Sequence, residues 1–125
     1  WHGHSFTANP LGCAAANASL TLLEQNPTAF QNFEARHRPQ LEALAEHPRV
    51  ERPRLLGTVA AFDLVVGGPA ACLNPAGPTV KRIARQHGVF LRPLGQVVYL
   101  LPPLCISDAQ LEQCYAAIQI ALDQL

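Results

Sequence analysis

Arg92 is the residue whose surroundings say most about its chemistry. It stands in Phe90-Leu91-Arg92-Pro93-Leu94-Gly95, between apolar neighbours and directly before a turn. An unpaired guanidinium buried there would be costly, and its fork of donors matches a carboxylate in a bidentate pair. Two readings stay open: a site for a carboxylate ligand, or an arginine paired with an internal Asp or Glu or simply exposed at the turn. A second candidate lies near the start, where His2-Gly3-His4-Ser5 leads into Asn9-Pro10. Asn caps free backbone N–H groups and Pro at the first helical position loses no hydrogen bond, so a helix starts here. Helix N-termini suit anions through those N–H groups and the helix dipole. The run is therefore either a phosphate or carboxylate site or an ordinary capped helix with a turn before it.

Other chemistries find less support. His2 and His4 form an H-x-H pair with Cys13 not far off, but zinc sites need further ligands at recognisable spacing and no second pair follows. We therefore expect no metal. Cys13, Cys72, Cys105 and Cys114 show no CxxC, and no motif ties a histidine to any of them. They read as inert buried thiols in a reducing cytoplasm. Glycine-rich nucleotide loops of the Walker or Rossmann type are absent. Lys81 is the only lysine, on a polar helix face.

The elements that must position these residues follow from periodicity and breakers. Pro10 to Gln25 reads as a helix ending at Asn26-Pro27, apolar on every side and so buried or pressed against other chains. A second helix begins near Thr28, where Thr28 and Gln31 have capping-box spacing. Phe30, Phe33, His37, Leu41 and Leu44 form its apolar face, with His37 a packing histidine rather than a ligand. Pro39 is expected to bend or break it. Leu55 to Val66 reads as a buried strand, or two divided at Gly57, closed by Gly67-Gly68-Pro69. Ala70 to Ala76 reads as a loop, with Gly77-Pro78 as a breaker. Pro78 to His87 reads as a short helix with Val80, Ile83 and Ala84 inward, capped by Gly88. Val89–Arg92 and Val97–Leu101 read as a hairpin. A last helix starts at Ser107, with Gln110 at the reciprocal position, an Ile106–Leu111 staple and a stripe through Cys114, Tyr115, Ile118, Leu122 and Leu125. The order of elements implies an α+β fold, a small, mainly antiparallel sheet covered by helices.

His2-Gly3-His4-Ser5-Phe6-Thr7-Ala8-Asn9-Pro10-Leu11-Gly12-Cys13-Ala14-Ala15-Ala16-Asn17-Ala18-Ser19-Leu20 closely resembles a segment of the class III aminotransferases, which use pyridoxal phosphate (PLP). Phe90-Leu91-Arg92-Pro93-Leu94-Gly95 with Val97-Val98-Tyr99-Leu100-Leu101-Pro102-Pro103 supplies a second match in the right order. Within the class the resemblance is strongest to the diaminopelargonate synthases of biotin synthesis. It spans nearly the whole chain but only the C-terminal portion of those enzymes. It implies the C-terminal domain of fold type I PLP aminotransferases, with residues 1–27 forming a cofactor-site loop and interface helix and residues 28–125 the small domain. It also implies that Arg92 binds the carboxylate of the long-chain oxo-amino acid and Ser5 the PLP phosphate of the neighbouring subunit. The backbone around His4 joins the phosphate contact, and Gly3 lies against the substrate. Ala8 departs from the pattern, since many members have Gly there.

The resemblance also implies that 8-amino-7-oxononanoate becomes 7,8-diaminononanoate, with S-adenosylmethionine as the usual amino donor. The lysine that holds PLP as a Schiff base and the acidic partner of the pyridine nitrogen would lie upstream, so no catalytic residue is expected in this stretch and the stretch alone is expected to be inactive. Its partners would be the N-terminal part of the same enzyme, a homodimer mate and small-molecule substrates. A chain without Met that begins with Trp1 fits a piece of a longer protein. The rivals are another class III ω-aminotransferase and a standalone non-catalytic interaction domain. Composition agrees with burial: 49% of the 125 residues are hydrophobic and only 14% charged. Nine acidic and nine basic residues cancel, which points away from nucleic acid and anionic membranes. No apolar run is long enough for a membrane span, and no signal peptide pattern is visible.

Overall fold

The computed structural model describes residues 3–28, 31–67 and 74–125. Helix α1 (Pro10–Gln25) starts as the Asn-Pro pair requires, with Asn9 Oδ1 accepting from the N–H groups of Leu11 at 2.9 Å and Gly12 at 3.3 Å. It buries none of its residues within the chain, and Leu11 is 82% exposed. The burial that its composition demands is therefore not provided by the described residues.

Helix α2 (Gln31–Ala45) runs unbroken through Pro39, against expectation. An interior proline costs about 3 kcal/mol, but Phe33, Leu41 and Leu44 flank it and are all buried. Each such side chain is worth roughly 1.5–3 kcal/mol, so packing on both sides of Pro39 outweighs the lost bond. Phe30 and the Gln31 side chain lie outside the described residues.

Strands β1 (Val50–Leu56) and β2 (Val59–Leu64) form an antiparallel hairpin, and β3 (Val97–Leu100) pairs with the other edge of β2. The sheet order is β1-β2-β3. Gly57 turns the hairpin with φ of 56°, a region that side chains disfavour, and its N–H donates to Glu34 Oε1 of α2 at 2.7 Å. The split at Gly57 is as expected. Ala60 to Leu64 are all buried, so both faces of β2 are covered, as its continuous apolar run requires.

Strand β1 reaches back further than the apolar run suggests, through Glu51-Arg52-Pro53-Arg54. Its register slips between Glu51 and Arg54, a bulge that accommodates Pro53 on an edge strand. The bulge delivers two cations to the buried Asp63: Arg54 Nη1 lies 2.7 Å from Oδ1, at ion-pair distance though not aligned as a hydrogen bond, and the Arg52 guanidinium meets Oδ2.

The expected hairpin of Val89–Arg92 with Val97–Leu101 is not formed. Leu94 and Val97 exchange backbone bonds of 2.9 and 3.0 Å, and the pairing stops there because Pro93 has no N–H to continue it. Val89 and Leu91 are buried all the same. Helix α3 (Ala76–Gln86) begins before Pro78, turns Val80, Ile83 and Ala84 inward, and closes at Gly88 with φ of 77°. Helix α4 (Asp108–Asp123) carries the expected capping box, Gln110 N to Ser107 Oγ at 3.2 Å and Ser107 N to Gln110 Oε1 at 3.0 Å. Arg36 ties α2 to this cap through Asp108 at 2.6 Å and the Ile106 carbonyl at 2.7 Å. Phe62, Leu64, Val80, Ile83, Val98 and Ile118 form the centre of the core. Gly68, Pro69 and most of the expected loop before α3 lie outside the described residues.

His37 packs between α2 and α4 with no exposed surface, its Nδ1 2.7 Å from Tyr115 Oη and its Nε2 without a partner. Burial holds its pKa below the ordinary value; the Thr58 backbone opposes this by less, and the charge on Arg36 adds to it. The unfolded chain, with a pKa near 6.5, therefore takes up the proton first. Stability from this group is complete above about pH 6.5 and falls as pH drops below it, by at most about 1.4 kcal/mol per pH unit. Urea titrations should show the parent chain losing stability below about pH 6.5 more steeply than His37→Gln. Parallel curves for the two would refute the assignment.

Candidate functional site

The segment Gly88–Arg92, the end of β3 and the first turns of α4 enclose a cavity of about 510 Å³. Its wall is largely apolar, from Val89, Leu91, Leu101 and Ile106, and among the described residues Arg92 is the only charged one lining it. Arg92 is exposed and makes no hydrogen bond or ion pair with a described residue. The described residues thus give it no internal partner, which leaves two readings, an arginine exposed at the turn and a site for a carboxylate ligand. An apolar space with one free guanidinium suits a ligand with an aliphatic body and a carboxylate end. Local anchoring holds Arg92 there: Leu91 before it is 3% exposed, and the Leu94–Val97 bridge follows it.

Cys114 also lines this space, and burial pushes its thiol pKa up, the opposite of an activated nucleophile. Lys81 does not line this space, but its ammonium lies 5.7 Å from the centroid of the exposed Phe90 ring, which does. Tyr99, Gln113 and Cys114 were not marked by sequence pattern as cavity residues. Gln113 and Cys114 reach this space through the packing of α4 and Tyr99 through β3, and neither arrangement leaves a motif.

The N-terminal candidates sit in a tight turn before α1. Thr7 N–H donates to the His4 carbonyl at 3.0 Å, His4 N–H donates to Thr7 Oγ1 at 3.1 Å, and the His4 ring stacks on Phe6 at 3.7 Å. Ala8 has φ of 60°, which explains why glycine is the easier residue at this place. Asn9 already occupies the N–H groups of Leu11 and Gly12, so the helix end itself offers little to an anion. Ser5 Oγ and the backbone N–H groups of Ser5 and Phe6 have no partner among the described residues. One hydroxyl with free amides suits a phosphate group, so these residues fit a phosphorylated cofactor better than the helix end does. Gly3 has open space around it. His2, the other half of the H-x-H pair, and Cys72 lie outside the described residues.

The two candidate regions are not brought together within the chain. A smaller cavity of about 350 Å³ is lined by His4, Phe6 and Thr7 with the start of α1, and it shares no residue with the Arg92 cavity. Among the described residues no three His, Cys, Asp or Glu side chains group to hold a metal. No described helix is long and apolar enough to cross a membrane.

A three-stranded antiparallel sheet with covering helices, and a largely apolar cavity presenting one arginine, make a domain of the kind found in solved transaminases. Residues 1–122 match the Aminotransferase class-III family, and the chain belongs to that family of enzymes. It is 52% identical over 125 residues to the adenosylmethionine-8-amino-7-oxononanoate aminotransferase of Synechococcus elongatus, a match that covers 100% of this chain and 29% of that protein. The Geobacter sulfurreducens protein of the same name is 40% identical over 118 residues, 90% of this chain and 26% of its own length. Among solved structures, the Methanocaldococcus jannaschii adenosylmethionine-8-amino-7-oxononanoate aminotransferase superposes with a TM-score of 0.81 at 28% identity, covering 99% of this chain and 30% of that one. A thermostable omega transaminase 4-fold mutant from Pseudomonas jessenii gives 0.83 at 26%, covering 98% and 29%. The chain thus spans under a third of the length of these relatives.

Proposed function

We propose that this chain is the C-terminal part of a PLP-dependent transaminase that converts 8-amino-7-oxononanoate to 7,8-diaminononanoate with S-adenosylmethionine as amino donor, in biotin synthesis. The observation that carries the reading is an unpaired Arg92 on an apolar cavity, in a chain 52% identical along its whole length to a protein named for that reaction. Arg92 holds the acceptor's carboxylate, and the apolar wall takes its aliphatic chain. That fixes where the acceptor's ketone stands, an orientation effect. Ser5 Oγ and the backbone beside His4 hold the phosphate of the PLP bound by a neighbouring subunit, and Gly3 leaves room beside the substrate. PLP, when bound, supplies the electron sink through which an amino group is moved.

The lysine that holds the cofactor belongs to the upstream part of the enzyme, so residues 1–125 alone are inactive. Residues 1–27 then serve the cofactor site and an interface, and residues 28–125 are the small domain of a cytoplasmic homodimer. The intact protein, supplied with PLP, S-adenosylmethionine and 8-amino-7-oxononanoate, should form 7,8-diaminononanoate, detected by chromatography. No product from this pair together with turnover of a simple ω-amino acid would favour the other class III reading. No transamination of either would favour the interaction-domain reading.

A further inference from the structure

We infer that Gly77 is a positioning residue for Arg92: its missing side chain lets the turn Pro93–Gly95 close on the start of α3 and so sets where the guanidinium stands. The inference rests on the proposed role of Arg92 in holding a carboxylate.

Gly77 is buried inside α3, where glycine lowers stability relative to alanine, so something other than helix formation must account for it. A methyl group there would run into the Gly95 carbonyl oxygen, far inside van der Waals contact, and would lie 3.3 Å from Pro93 Cβ. Both obstacles belong to backbone or to a ring, and neither can swing aside like the end of a flexible side chain.

Each neighbour is held from behind. Helix α3 cannot withdraw, because Val80 and Ile83 are 0% and 1% exposed in the core. The turn cannot shift as a block toward the sheet, because Leu94 and Val97 are bridged, the Leu64 N–H donates to the Gln96 carbonyl at 2.8 Å, and Gly95 is at φ of 61°. Strain introduced at Gly77 therefore passes to the preceding link, Arg92-Pro93. Leu91 is fixed in the core, whereas Arg92 has no hydrogen bond of its own to resist displacement.

The test uses the intact, PLP-loaded protein and nonanoate, a straight-chain carboxylate, as the probe of the Arg92 cavity. Gly77→Ala should weaken nonanoate binding and raise the acceptor KM, each about tenfold, with the rate of the donor half-reaction unchanged. Thr79→Ala, two residues on in the same helix and so on a different face, should leave all three unchanged. In an Arg92→Ala background Gly77→Ala should add nothing further, since its effect runs through the guanidinium. Equal losses in both backgrounds would show a packing role only and overturn the inference. Should Gly77→Ala not yield folded protein, Pro93→Gly loosens the other side of the same contact and should weaken nonanoate binding with α3 untouched; unchanged binding would overturn the inference. If Arg92→Ala itself leaves nonanoate binding intact, the carboxylate role of Arg92 has failed. If Arg92→Ala weakens binding while folded Gly77→Ala does not, the positioning inference alone has failed.

Discussion

Arg92→Ala in the intact enzyme is expected to lower kcat/KM for the keto acceptor about 10- to 100-fold, the worth of hydrogen bonds to a charged group. The half-reaction with the amino donor should stay within about twofold. The asymmetry is the informative part. Among the described residues Arg92 is the only charge on its cavity, so an acceptor carboxylate bound there has no second cation in this chain, and a donor that does not use Arg92 loses nothing. Arg92→Lys should recover only part of the loss, because a point charge replaces a planar fork. Stopped-flow measurement of the two half-reactions separates the terms. Equal loss in both would falsify the assigned role.

The parts of the fold that were legible in the sequence are those whose signals are local. The start of α4 is one: Ser107 and Gln110 satisfy each other's backbone, and the stripe from Leu111 to Leu122 needs only helical spacing. The first part of strand β1, before Leu55, was hidden because its reason lies in another strand. Glu51-Arg52-Pro53-Arg54 is a poor strand by itself, yet Asp63 in an apolar run asks for cations, and Arg52 and Arg54 supply them once the bulge is made. Pro39 misled in the same way: the broken hydrogen bond is local, and the burial that outweighs it is not. The neighbours of Arg92 marked it as a candidate, but between a carboxylate site and an arginine paired or exposed at a turn they did not decide; only the resemblance pointed to the carboxylate. The cavity around it could not be read, because its wall joins three separate stretches of chain. Gly77 read as a helix breaker, since the carbonyl it accommodates comes from Gly95, far along the chain.

The contrast between α4 and α1 gives the largest stability difference expected of any pair of apolar substitutions here. Ile118 has no exposed surface and lies in the middle of the core. Ile118→Ala should therefore destabilise the 125-residue chain by about 2–5 kcal/mol, read as a lower urea midpoint with an unchanged slope. Leu20 is 55% exposed, and Leu20→Ala in the same chain should move stability by no more than about 0.5 kcal/mol. In the intact protein the ranking should narrow. Helix α1 presents Leu11, Leu20 and Leu22 to solvent with no charged residue until Glu24, a surface that a stable soluble protein covers. Burial of Leu20 by the rest of the enzyme or its dimer mate would raise the cost of Leu20→Ala there to roughly 2–3 kcal/mol, since removed side-chain contacts then leave a cavity. A near-zero effect of Leu20→Ala in both the short chain and the intact protein would mean that α1 stays uncovered, and would remove the interface assigned to residues 1–27.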